Sequence, residues 1–147
     1  MAYKHLFLDF DGVLTDNHVY VDQNGLEAVR CSKLDGQAIS EIKKLGVTVV
    51  IISAEYSDYV LHRGSKLDIT AYCAVLDKEK FLKQAYGDVL HEAIYVGDSL
   101  ADVLAGNACK LFLTPKDSII AGRAYGAKEL ETLGGQGICW EILLKYF

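Results

Sequence analysis

HLFLDFDGVLTD, His5–Asp16, opens on an apolar run and closes with three carboxylates in eight residues. The run has the length and composition of a buried strand, and Asp9 stands where that strand should end. An ionised carboxylate in an apolar surrounding must be paired, hydrogen-bonded or bound to a metal, or it neutralises by shifting its pKa. The question posed by this stretch is what Asp9 and Asp11 hold.

Outward from it, apolar runs recur at VTVVII (47–52), DITAYCAV (68–75), EAIYVG (92–97) and CKLFLT (109–114), separated by helical patterns or loops. Continuous apolar strands imply a sheet covered on both faces, so the pattern predicts an α/β fold with a doubly wound parallel sheet. Helical spacing is carried by Ile39, Ile42 and Leu45 before Gly46, by Tyr59, Val60 and Leu67, and by Phe81, Leu82 and Ala85. HVYVDQNGLEAVR (18–30) breaks the rhythm: two extended runs flank Asp22-Gln23-Asn24-Gly25, and Asn-Gly predicts a small β-hairpin flap over about 17–31.

The chain has 147 residues, 51% hydrophobic and 24% charged, and a single proline, Pro115, which reads as one domain spanning 1–147 with no linker. A net charge of -5 without a basic patch argues against nucleic acid as a partner. The apolar runs are too short for a membrane span, and MAYKHLFLDF is a poor signal peptide, so a cytoplasmic location is expected. Cys31, Cys73, Cys109 and Cys139 lack metal-site spacing and read as buried free thiols; His5, His18, His62 and His91 are not paired at ligand spacing.

In open α/β sheets ligands bind outside the carboxyl ends of the strands. The residues at those ends are Asp9 and Asp11, Ser53, and Asp98 and Asp102, with Lys78 or Lys80 opening a helix between them. Aspartates without His or Cys are hard-oxygen donors, which suit Mg²⁺, and Mg²⁺ with a nearby hydroxyl and ammonium suits a phosphorylated substrate.

At this point the sequence resembles the haloacid dehalogenase (HAD) superfamily of aspartyl-phosphate phosphohydrolases over nearly its whole length. DFDGVLTD is similar to its DxDG motif, VVIIS to its Ser-ended strand, and GDSLAD (97–102) to its GDxxxD motif. The resemblance implies Asp9 as nucleophile and metal ligand, and Asp11 as general acid and base with its carbonyl on the metal. It also implies Gly12 near the substrate, Ser53 and a lysine on the phosphate, Asp98 completing the metal site and Asp102 supporting it. Lys78 is preferred to Lys80, because Phe81 and Leu82 let its helix pack while Lys78 sits at a strand end. The gaps 16–35 and 53–78 leave no room for a cap domain, so a neighbouring subunit is expected to close the site.

The architecture is similar to the capless subfamily of 3-deoxy-octulosonate 8-phosphate phosphatases and their nine-carbon relatives. NHVYVDQNG, LDGQAI and GGQGICWEILL carry the closer match and imply a homotetramer acting on a keto-deoxy sugar acid phosphate. The sequence departs from the family at Leu34 and Trp140, where arginines are common, and Ala54-Glu55 follows Ser53 where the octulosonate enzymes carry Gly-Arg. Glu55 with Lys66 favours the nine-carbon branch over the eight-carbon one. Asp16 caps its loop or orients a neighbour; Gln136 and Trp140 receive no role. A non-enzymatic phosphoacceptor domain is opposed by the order of the motifs, and an assembly domain by their completeness.

Overall fold

The computed structural model describes residues 2–147. Strand β1 (His5–Leu8) is followed by the hairpin β2 (Thr15–Val21) and β3 (Glu27–Cys31), then α1 (Lys33–Lys44), β4 (Thr48–Ile52), α2 (Tyr59–Leu67), β5 (Thr70–Tyr72) and α3 (Lys78–Tyr86). β6 (Ala93–Val96), α4 (Val103–Ala108), β7 (Leu111–Thr114), β8 (Lys128–Glu129) and α5 (Ile138–Tyr146) complete the chain. Short 3₁₀ turns precede β6 and α4.

Six strands form one parallel sheet in the order β5-β4-β1-β6-β7-β8. The chain winds outward from β1 through β4 to β5, then returns and winds the other way through β6, β7 and β8. β1 therefore lies at the reversal of strand order, with Leu8 paired to both Ile51 and Val96. Loops leaving β1 and β6 diverge to opposite faces there and open a crevice, which is where doubly wound sheets bind ligands.

Alternation along each strand divides the core into two layers. Leu6 and Leu8 pack with Ile39, Ile42, Val60, Ile138 and Ile142 on one face, while Phe7 packs with Leu82, Tyr95, Ala105 and Phe112 on the other. The strands are apolar throughout because helices cover both faces. No helix of the described residues is long and apolar enough to cross a membrane.

The doubly wound sheet and the flap agree with the sequence reading, with differences in detail. The hairpin starts at Thr15, which pairs with Cys31, and a bulge before Val19 accommodates Asn17 at φ 66°. Its turn is closed by Asp22, whose Oδ1 accepts from the backbone N–H of Asn24 and Leu26. DITAYCAV contributes only Thr70–Tyr72, because Ala74 at φ 56° bends away and the Ala74 and Val75 N–H groups turn to the carbonyls of Glu55 and Ser53. Leu45 caps α1 and is exposed. Of the four cysteines only Cys139 is buried; the others are half-buried.

α5 is held by carboxylates from outside and inside the helix. Asp35 on α1 accepts at Oδ1 from the Cys139 N–H at 2.9 Å. Glu141 accepts from the N–H of Glu131 and Thr132 at 2.8–2.9 Å and from Lys145 at 2.6 Å. Desolvation opposes the charge on Glu141, yet these donors hold its carboxyl down to about 2, from an ordinary 4.5. A carboxyl depressed in the folded state stabilises above its unfolded pKa and loses that contribution as pH falls through the folded one. Glu141→Gln is therefore expected to lower stability at pH 7 by about 1–3 kcal/mol. Denaturant melts should show the gap to the parent closing between about pH 4.5 and 2; a gap independent of pH would show that the charge contributes nothing.

Candidate active site

The tip of β1 carries Asp9, whose N–H bonds the carbonyl of Val96, so the β1 and β6 tips stay in register beyond the strands. The chain then turns sharply: the N–H groups of Val13, Leu14 and Thr15 converge on the Phe10 carbonyl, and Gly12, at φ 82°, bonds through its N–H to Thr15 Oγ1. A Cβ at Gly12 would overlap Oδ2 of Asp98. Only glycine allows both that backbone conformation and so close an approach by the carboxylate.

Lys78 is buried and reaches across the crevice to Asp9 Oδ1 at 2.8 Å and Asp102 Oδ1 at 2.7 Å. Asp102 is fully committed: Oδ1 also accepts from Tyr95 Oη at 2.6 Å, while Oδ2 accepts from the N–H of Asp98 and Ser99. Burial works against ionisation of Asp102, but Lys78 and these donors bring its carboxyl below the ordinary range. Burial likewise opposes the charge on Lys78, yet Asp9 and Asp102 raise its pKa above that of an ordinary lysine. This is a buried ion pair whose charges are also met by hydrogen bonds.

Asp9 and Asp98 are in the opposite state. Burial first, and then the neighbouring carboxylates, push Asp9 well above the ordinary range, while burial pushes Asp98 up to about 6. The two side chains lie within hydrogen-bonding reach of each other. Two buried carboxylates approach so closely only with a proton or a cation between them. Asp9, Asp98 and Asp102 each present an oxygen within 4.8 Å of the others. With Asp102 spent on its own donors, Asp9 and Asp98 are the carboxylates left for a cation. An all-oxygen pair of this kind fits Mg²⁺, which takes one or two carboxylates and keeps other positions for water and phosphate.

Asp9, Asp98 and Lys78 line a cleft of about 320 Å³ with Asp11, Asn17, Ser53 and Glu55, and Asp102 lies behind them. Ser53, buried beyond β4, is fixed by its N–H to the Tyr72 carbonyl, and its Oγ accepts from the Glu55 N–H. Asp11 is half-buried, and burial, then Glu55, raises its carboxyl. A second chamber of about 260 Å³ continues under the flap, lined by Asp11, Asn17, His18, Val19, Glu27, Glu55 and Tyr59.

The structure thus brings together Asp9, Asp11, Gly12, Ser53, Glu55, Lys78, Asp98 and Asp102. It separates two residues from them. Lys80 is exposed beyond the first residues of α3, where Asp77 caps its N–H. Lys66 is removed from the cleft and lines a groove of about 760 Å³ between α1 and α2, because the α2 surface that bears it faces α1. Asp16 braces the flap, accepting from the His18 N–H and from Arg30 Nε at 2.8 Å. Gln136 is exposed, and Trp140 packs partly buried against the core. Sequence reasoning missed Tyr95, although a tyrosine in a fully buried strand requires a partner for its hydroxyl. It also missed Asn17, which lines the cleft, and Glu27, which lines the chamber under the flap, both brought there by the hairpin folding back.

No protein-family model matches the chain. Over 145 residues it is 31% identical to 3-deoxy-D-manno-octulosonate 8-phosphate phosphatase KdsC of Haemophilus influenzae, covering 95% of this chain and 79% of the relative. The chain belongs to the KdsC-like phosphatases. These are capless HAD-superfamily enzymes, and the chain is a phosphoric monoester hydrolase of that class. The cobalt-bound H. influenzae phosphatase superposes with a TM-score of 0.86 at 28% identity, over 97% of this chain and 85% of that one. The Moraxella catarrhalis enzyme in complex with magnesium, phosphate and KDO gives 0.88 at 25% identity, over 97% and 84%. An HAD family hydrolase from Streptomyces avermitilis gives 0.90 at 28%, over 96% and 83%. The H. influenzae and M. catarrhalis relatives are octulosonate phosphatases, a match to the eight-carbon alternative and not to the nine-carbon reading drawn from Glu55 and Lys66.

Proposed function

We propose that this KdsC-like phosphatase is Mg²⁺-dependent and releases phosphate from an eight-carbon keto-deoxy sugar acid phosphate through a covalent aspartyl phosphate. The observation that carries the reading is the division of labour among three clustered carboxylates: Asp102 neutralised by Lys78, Asp9 and Asp98 left to share a cation. When bound between Asp9, Asp98 and the Asp11 carbonyl, Mg²⁺ would draw charge off the phosphoryl oxygens.

The protein's own groups supply the remaining chemistry. Asp9 attacks phosphorus, held in place by Lys78 at its Oδ1. Asp11, its carboxyl raised by burial, protonates the leaving sugar oxygen and then takes a proton from the water that cleaves the acyl phosphate. Ser53 and Lys78 hold the transferred phosphoryl group, Gly12 leaves room for the Asp98 carboxylate, and Glu55 accepts hydrogen bonds from sugar hydroxyls. Lys78 is the sole lysine or arginine lining the two chambers, and Asp9 and Asp102 already engage it. A substrate carboxylate therefore needs a cation from elsewhere, which supports a homotetramer in which a neighbour closes each site. The four unpaired cysteines suit a reducing cytoplasm.

The test is a phosphate-release assay on eight-carbon and nine-carbon keto acid phosphates and hexose phosphates, before and after EDTA. The eight-carbon substrate should exceed hexose phosphates in kcat/KM by about a hundredfold, a difference of about 2.7 kcal/mol in transition-state binding. Activity should vanish with EDTA and return with Mg²⁺. Preference for hexose phosphates would overturn the substrate class, and preference for the nine-carbon acid would restore the reading suggested by Glu55.

A further inference from the structure

The segment between β7 and α5 returns to the active-site loop from behind. Gly134 and Gly135 are both buried. The Gly134 N–H is bonded to Asp117 Oδ1 at 3.0 Å, and the Gly135 N–H to the carbonyl of Val13 at 3.0 Å. A Cβ on Gly134 would overlap the carbonyl oxygen of Gly12, and one on Gly135 the backbone of Thr15 and Asp16. Gly12 in turn touches Asp98 Oδ2. Backbone is thus stacked on backbone without side chains between, from Asp117 through the glycine pair and the Gly12 loop to the Asp98 carboxylate. Gly12, Asp98 and Asp117 also wall the same small cavity of about 110 Å³, with Asn17, Ser99 and Ser118.

We propose that this glycine strap, pinned by Asp117, is part of the cation site: it braces the Gly12 loop and so sets where Asp98 stands. Asp117 is then a positioning residue for metal binding. The inference rests on the reading of Asp98 as a cation ligand. Asp98 is fixed at its backbone by Asp102 Oδ2 and at its carboxylate by contact with Gly12. A retreat of Gly12 therefore frees the carboxylate without disturbing the Lys78 pairs. Groups that orient metal ligands in this way typically change metal affinity by ten- to a hundredfold when removed.

The experiment is calorimetric titration of the phosphate-free protein with Mg²⁺, which needs no substrate or turnover. Asp117→Ala should weaken Mg²⁺ binding about tenfold or more, and Asp117→Asn should restore most of it, since an amide oxygen can still accept from the Gly134 N–H. Gly134→Ala should weaken it further. Gly87→Ala, where an added Cβ meets open space, is the unaffected comparison. If Gly134→Ala does not fold by circular dichroism, the two Asp117 variants decide. Affinity within twofold of the parent for a folded Asp117→Ala would overturn the proposal. So would failure of Asn to rescue, because the charge itself and not the strap would then be at work. A parent that binds no Mg²⁺ would overturn the cation reading beneath it, a result distinct from either.

Discussion

Asp9→Asn is expected to lower turnover by about four orders of magnitude or more while leaving the fold in place. Loss of a covalent nucleophile costs rate on that scale, and asparagine matches aspartate in volume and can still accept from Lys78. The same substitution should leave the metal-free protein as stable as the parent, or more so. Asp9 is a buried carboxyl whose pKa is raised well above its ordinary value by desolvation and by Asp102 and Asp98. A group raised in the folded state opposes folding once pH exceeds its unfolded pKa, so its charge is a burden at neutral pH and the amide removes it. Thermal melts with and without Mg²⁺ separate the two effects: the variant should melt no lower than the parent without metal and gain less when Mg²⁺ is added. Normal phosphate release by the variant in excess Mg²⁺ would end the covalent mechanism.

Lys78→Met should damage stability and catalysis together. The ammonium is shared by two buried carboxylates at 2.7 and 2.8 Å, and its removal leaves both without a counter-charge. Breaking one side of a buried ion pair costs about 3–5 kcal/mol. Asp9 can relieve part of that by taking up a proton, so the lower end is expected, or a fall of roughly 6–12 °C in melting temperature at this chain length. Turnover should fall by about two to three orders of magnitude, as for other fixed charges aimed at a developing negative charge. Mg²⁺ should recover some of the melting temperature, because it supplies positive charge beside Asp9, but not the rate. A variant melting within 2 °C of the parent without metal would show that the ammonium does not hold the cluster together.

The sequence reading reached the sheet and the strand-end residues because both are local in origin. An apolar run of four to six residues flanked by turns admits few alternatives, and an aspartate directly after it must lie at the strand tip. Asp98 follows from the same logic, two residues past β6, whereas Gly12, four residues past β1, was legible only through the DxDG resemblance. The sequence left a choice open, or expected a residue at the cleft that lies elsewhere, where position depends on the angle of a helix or on packing far along the chain. Lys78 and Lys80 are two residues apart, about 200° around a helix, so whichever faces the crevice, the other is turned away. Which one does so is set by the packing of Leu82 under the sheet. Lys66 has the right spacing from Glu55, yet the face of α2 that carries it meets α1 and not the cleft. β8 is two exposed residues, Lys128 and Glu129, held by backbone pairing to β7, and nothing in their side chains announces a strand.

The sequence by itself determined the doubly wound sheet, the flap at Asn24-Gly25 and the presence of acids at the tips of β1 and β6, since each is written in residues adjacent along the chain. Tertiary structure alone decided which acid is free to meet a cation. Asp9, Asp98 and Asp102 are indistinguishable as side chains, and it is Lys78, Tyr95 and the backbone N–H groups of Asp98 and Ser99, converging from separate elements, that occupy both oxygens of Asp102, while Asp9 shares only Lys78 with it and Asp98 is left without a cationic partner. The charge state of a buried carboxylate is set by its neighbours in space, and those neighbours come from β6, α3 and the loop beyond β6.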